Sequence, residues 1–186
     1  MSDFLRHLEA IIVLPGMMTV VIPASIVILT GDVNVGWRLA SPLNVLVVGL
    51  GLALILVGLA VLYSTISLFA IVGEGTLAPW MPTQKLVVHG LYRYMRHPMI
   101  SGVFVLLLGE AVLLGSVSLF YWFLAFTLIN LLYIQFIEEP VTAGRFGDAY
   151  ILYEKNVPAW LPRLQPWNPP QDNTGGGSSE QKVGLE

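Results

Sequence analysis

Two groups of residues in this chain have the types and spacing to do chemistry. The first is the run Lys85-Leu-Val-Val-His-Gly-Leu-Tyr-Arg-Tyr-Met-Arg-His-Pro98, in which two arginines and a histidine lead up to a proline. Proline suits the first position of a helix. The helix beyond it is therefore expected to begin with free N–H groups at Met99 to Ser101, beside Arg96 and His97. Such a start can hold a carboxylate or phosphate. The same residues also have a plain structural reading, as basic flanks that snorkel from the end of a membrane helix.

The second group is Glu138-Glu139-Pro140. Pro140 is expected to bar Glu139 from helical geometry and to open a new helix, whose start favours the carboxylates. They can accept hydrogen bonds from ligand hydroxyls or hold a cation. Equally, they can form a hydrated break with an ion pair to Arg93 or Arg96. Glu110 is a third candidate, because a charge deep in an apolar helix costs about 3 kcal/mol and must face the bundle interior.

Other residues are weaker. Gly73-Glu-Gly-Thr76 lacks the Lys-Ser/Thr of a phosphate loop and reads as a turn. His7 and His89 have no partner at metal-ligand spacing, so no metal is expected. With no cysteine, thiol nucleophiles and iron–sulfur clusters are excluded.

The elements that must position these groups are membrane helices. Of 186 residues, 55% are hydrophobic and only 11% are charged, against about 25% charged in soluble domains. That excludes an ordinary cytosolic enzyme and a nucleic-acid-binding chain. Four apolar stretches approach the roughly 20 residues that a bilayer core requires: 10–30, 43–72, 98–115 and 118–137. Pro15 and Pro23 predict a kink in the first. The second would be about 45 Å long, so it must tilt or leave the membrane near Tyr63-Ser64-Thr65, and a fifth span is the alternative count. A tight turn at 115–118 makes the last two a helical hairpin, which places His97 and Glu138 at the same membrane face.

The N-terminal stretch reads as an uncleaved span, since its apolar run is too long and its flanks too acidic for a signal peptide. Eight of the nine Lys and Arg residues fall on the side of the 73–97 loop and both termini, so that side is expected to be cytoplasmic. Phe146, Tyr150, Tyr153 and Val157 fall on one face of a short interfacial helix. From Gln165 onward the composition is that of a tail with no chemistry. The expected fold is thus an all-α polytopic membrane bundle, with one membrane domain over 1–163 and a disordered tail over 164–186.

The motif Leu86-Val-Val-His-Gly-Leu-Tyr-Arg-Tyr-Met-Arg-His-Pro98, a hairpin, then Glu138-Glu139, Phe146-Gly-Asp-Ala-Tyr150 and Val157-Pro-Ala-Trp-Leu-Pro162 resembles the isoprenylcysteine carboxyl methyltransferase and phospholipid N-methyltransferase superfamily. The resemblance covers residues 73–163. It implies an integral-membrane enzyme, in a bacterial inner membrane, that moves a methyl group from S-adenosylmethionine to a lipophilic acceptor. No nucleic acid or required protein partner is implied. It further implies that Gln84, Leu86, Val87 and Tyr92 line an adenosine pocket. Arg96 and His97 would meet the methionyl carboxylate or nearby polar atoms. Glu138 and Glu139 would accept from the ribose hydroxyls or the amino group, and His97 or Glu138 would take a proton from an ammonium acceptor.

Two departures narrow the acceptor. Ile100 stands where the family carries a tyrosine, and Tyr133-Ile134-Gln135-Phe136 lacks the arginine that grips a prenylcysteine carboxylate. A lipid amine or another amphiphile fits better. An NADPH-dependent membrane reductase of related fold and a non-catalytic scaffold or carrier are the competing readings.

Overall fold

Apolar helices in a bilayer gain little from hydrophobic contact with one another, so close backbone approach and satisfied polar groups decide how they pack. Both features organise this chain. The computed structural model describes residues 15–72, 86 and 88–169. Every regular element among them is helical, as the composition predicts.

A π-helical turn, Met17–Val21, runs directly into α1 (Ile22–Thr30). This wide turn lies immediately before Pro23, which has no N–H to give to the ordinary ladder. The predicted irregularity therefore takes the form of a widened turn. α1 ends at Gly31 in the left-handed conformation.

α2 (Leu43–Val72) is a single helix of 30 residues. It does not break near Tyr63, and it is one element rather than two. The hydroxyls of Ser64 and Thr65 donate to the carbonyls of Ala60 and Val61 (2.7 and 2.9 Å), so these polar residues are satisfied inside the helix.

α3 (Pro98–Leu114) has 17 residues, about 26 Å of helix. It is shorter than the other membrane elements, so the four expected stretches resolve into three long enough to cross and one shorter apolar helix. The long ones are Met17–Arg38, Leu43–Leu68 and Val117–Phe146.

α4 (Val117–Tyr133) follows a tight turn at Gly115-Ser116 and completes the hairpin. It continues through a second π-helical turn, Ile134–Glu138, into α5 (Glu139–Phe146). Glu139 keeps helical angles (φ −64°, ψ −46°), which corrects the expectation that Pro140 would exclude it from a helix. The wider turn makes room for the proline ring, and the Glu139 N–H bonds instead to the Ile134 carbonyl. Gly147, with φ 55° and ψ −134°, then separates α5 from α6 (Asp148–Asn156).

α2 and α3 pack antiparallel along glycines. A Cβ at Gly51 would lie 2.7 Å from the Leu113 backbone, one at Gly58 2.8 Å from Leu106, and one at Gly109 2.8 Å from Ile55. Gly102 meets Val61 at 3.0 Å in the same way. Each helix thus offers two glycines seven residues apart, and their backbones touch where any side chain would hold them apart.

The far end of the hairpin is locked by the α1–α2 connection. Asp32 accepts from the Ser118 N–H (2.9 Å) and the Ser116 hydroxyl (3.2 Å). The Asn34 N–H donates to the Leu114 carbonyl, and the Trp37 indole to the Val112 carbonyl. The opposite end is left to carry the polar groups.

Candidate functional site

At that opposite end, Pro98 occupies the first turn of α3 with His97 as the residue before it. The Ser101 N–H and hydroxyl both donate to the His97 carbonyl (3.1 and 2.9 Å), so this helix start offers fewer free donors than expected. What holds the preceding segment was not legible from local sequence. The chain after α6 returns as a strap. Arg96 and His97 donate their N–H groups to the carbonyls of Pro158 and Ala159. Arg163 and Trp167 donate back to the carbonyls of Tyr94 and Arg93.

Glu139 is the centre of the cluster. Its Oε1 lies 3.0 Å from Arg96 Nη2 and 3.0 Å from His97 Nε2. Because a carboxylate only accepts, His97 donates through Nε2. The Arg96, His97 and Glu139 side chains are each 10% exposed. The π-helical turn is the reason Glu139 faces inward: its bond to the Ile134 carbonyl sets it above a residue that is itself buried. In a regular helix, five residues on would point elsewhere.

Glu138 lies 3.6 Å from His97 Nδ1, and its side chain is 46% exposed, so it forms the open lip of the cluster. The basic and acidic groups predicted to meet across the hairpin do meet. Arg96 is the ion-pair partner of the pair. Arg93 instead donates to the Trp167 carbonyl (3.0 Å) and to the Asn168 side chain.

Two residues to which the sequence assigned no place in the site belong to the cluster. Glu154 of α6 sits 3.0 Å from Arg96 Nη1, at an angle too poor for a hydrogen bond. Trp160, on the strap, lies with its ring 5.2 Å from the His97 ring and stacked 5.8 Å from Phe104. The prolines at 158 and 162 around Trp160 were the available signal, because they mark a stiff extended segment.

Tyr150, Tyr153 and Val157 share a face as expected. That face packs against Val88 and Trp167 as a small buried core. The Tyr153 hydroxyl donates to the Tyr92 carbonyl at 2.6 Å and so pins the turn Gly90–Arg93. Burial raises the Tyr153, Tyr150 and Tyr92 phenols above their ordinary range, so all three stay protonated. For Tyr92, the charge of Glu138 adds to the effect.

Leu86 packs on the edge of the same small core. Gln84 and Val87 lie outside the described residues. Glu110 is thirteen residues along α3 from His97, about 20 Å away, and so is no part of this cluster. Its Oε2 is buried without a hydrogen-bond partner among the described residues. Among those residues no three metal-ligating side chains come together.

The cluster and the hairpin that carries it fall within a known family pattern. The phospholipid methyltransferase family model matches residues 46–149. The chain belongs to the phospholipid methyltransferase family. A curated relative, the protein-S-isoprenylcysteine O-methyltransferase of Schizosaccharomyces pombe, is 35% identical over 85 residues, which cover 42% of this chain and 34% of the relative. The match thus spans about a third of the relative's length. The family segment starts inside α2 and ends in α6, so it takes in the glycine-packed helix pair, the hairpin and both charged motifs. The Trp160 strap lies beyond it. Family membership and three helices long and apolar enough to cross a bilayer together make this a membrane protein.

Proposed function

We propose that this chain transfers a methyl group from S-adenosylmethionine to a lipophilic acceptor, a lipid amine or a related amphiphile, at the membrane face that carries Arg96, His97, Glu138 and Glu139. The observation that carries the reading is Arg96. Its guanidinium is buried and paired on one side with Glu139, yet its Nε has no hydrogen-bond partner among the described residues. A buried cationic donor left open in this way fits a carboxylate such as the methionyl one. Glu138, exposed beside it, fits the cofactor's amino group or ribose hydroxyls, with Tyr92, Leu86, Gln84 and Val87 on the adenosine side.

Bound there, S-adenosylmethionine supplies a sulfonium methyl, whose bonding pair returns to sulfur as the acceptor's lone pair forms the new bond. The protein's part is orientation and exclusion of water. Glu139 fixes Arg96 and the His97 tautomer at once, and Trp160 closes the His97 face. An amine acceptor needs its lone pair free. Glu138, open to the acceptor and backed by His97 Nδ1 at 3.6 Å, is placed to take the proton. The excess of Lys and Arg on this side supports a cytoplasmic site.

Calorimetric titration of detergent-purified protein with S-adenosylmethionine tests the proposal. Wild type is expected to bind. His97→Ala and Glu139→Ala are expected to weaken binding at least about tenfold, the scale of a lost charge-assisted hydrogen bond. NADPH in excess is expected not to compete. Equal or absent binding in all three proteins overturns the site, and displacement by NADPH favours a reductase.

A further inference from the structure

The inner stripe of α4 carries an anomaly that the methyl-transfer cluster does not use. Five threonines lie among the described residues. Four of them, Thr19, Thr30, Thr65 and Thr142, donate their hydroxyls to the carbonyl four residues back, the usual way a membrane helix satisfies such a group. Thr127 does not. Its Oγ1 is buried and has no hydrogen-bond partner among the described residues. In an apolar surrounding such a hydroxyl costs free energy unless something pairs with it.

Its position relates it to the charged cluster. Thr127 follows Phe126, whose ring packs edge-on at 6.1 Å against Phe104. Phe104 is stacked on Trp160, and Trp160 lies on His97. A row of aromatic rings therefore runs from the charged cluster into the apolar zone as far as Phe126, the residue before Thr127 on α4, and on to Trp122, 5.8 Å from Phe126. Along α4, Thr127 precedes the buried Ile134 by seven residues, two helical turns, and so shares its stripe. Phe104 is seven residues beyond His97, which puts this level about 10 Å below the cluster.

We infer that Thr127 binds the acceptor: its hydroxyl donates to a carbonyl within the acceptor's interior, about 10 Å from the atom that is methylated, while the acceptor's apolar part lies along Phe104 and Phe126. This rests on the proposed methyl transfer for the identity of the ligand, and it adds a selectivity that the charged cluster cannot provide. An amphiphile with an ester or amide carbonyl at that depth satisfies Thr127. One with only ether or alkyl groups leaves it unpaired.

The test compares two synthetic glycerophosphoethanolamines with the same chains, one ester-linked and one ether-linked. Native mass spectrometry reads their retention on wild type, Thr127→Val and Thr127→Ser. Wild type is expected to retain the ester lipid about tenfold more strongly than the ether lipid. Thr127→Val, nearly the same shape, is expected to abolish that preference without changing ether-lipid retention, and Thr127→Ser is expected to keep it. A wild type without preference, or a preference that survives in Thr127→Val, overturns the inference. Methyl transfer from labelled S-adenosylmethionine is counted in the same samples. If lipid discrimination by Thr127 is intact and no label is transferred, the enzymatic reading fails and the binding inference stands.

Discussion

A single carboxylate organises the charged cluster. Glu139 neutralises Arg96, fixes which nitrogen of His97 carries the proton, and does both while almost fully buried. The residue types were legible in sequence: Arg-His-Pro and Glu-Glu are the charges that survive in an apolar chain, and a short hairpin can only bring them to one face. Glu154 and Trp160 were not legible, because each reaches the cluster from an element whose path depends on the fold. Tyr153 shows the same dependence and permits a test. Its buried hydroxyl donates to the Tyr92 carbonyl, and burial raises its phenol above the ordinary value. A group whose proton is held more tightly in the folded state contributes fully below the unfolded pKa of about 10 and loses that contribution as pH rises beyond it. Tyr153→Phe is therefore expected to lower stability by about 1 kcal/mol at neutral pH. Its denaturation curve should also fall less steeply than that of wild type above about pH 10. Chemical denaturation followed by circular dichroism at pH 7 and pH 10.5 measures both.

Among elements, two irregularities and one regularity matter most. The irregularities are the π-helical turns at Met17–Val21 and Ile134–Glu138, each just ahead of a proline. Proline removes one rung of the ladder and crowds the turn before it, and a widened turn relieves both. At Ile134–Glu138 the consequence reaches the charged cluster, since it is this turn that swings Glu139 inward. The regularity is the glycine spacing on α2 and α3, which the hydrophobic count had masked because glycine interrupts neither apolar stretch. A methyl group at Gly58 would meet the Leu106 backbone at 2.8 Å, whereas one at Gly49 meets nothing within 4 Å. Gly58→Ala is expected to destabilise by about 1–3 kcal/mol through overpacking. Gly49→Ala should be neutral or stabilising by up to about 1 kcal/mol, as alanine is the better helix former. Unfolding in mixed detergent, monitored by helix content, separates them. Equal effects would show that close α2–α3 approach is not what holds the pair.

Across the whole molecule the two ends of the hairpin do different work. One end is fastened by Asp32, Asn34 and Trp37. The other is fastened by the strap of residues 158–168, which runs beside Arg93–His97 and carries Trp160 to the cluster. The strap includes Trp167 and Asn168, within the stretch whose composition had suggested no fixed place. Truncation after Pro169 is therefore expected to leave S-adenosylmethionine affinity unchanged. Truncation after Val157 should abolish it while the helices of the hairpin persist, as read by titration and circular dichroism on the same samples. Loss of affinity on truncation after Pro169 would move the boundary of the site toward the C-terminus.

What the sequence determined by itself was the solvent, the helical class, the hairpin and the identities of the four charged residues at its open end. Composition and the cost of burying charge leave few alternatives for those. What only the tertiary structure decided was which carboxylate faces inward, which cation it holds, and that a returning strap walls the cluster. These depend on a turn that is one residue too wide and on backbone pairing between segments some seventy residues apart, neither of which leaves a local periodic trace in the chain.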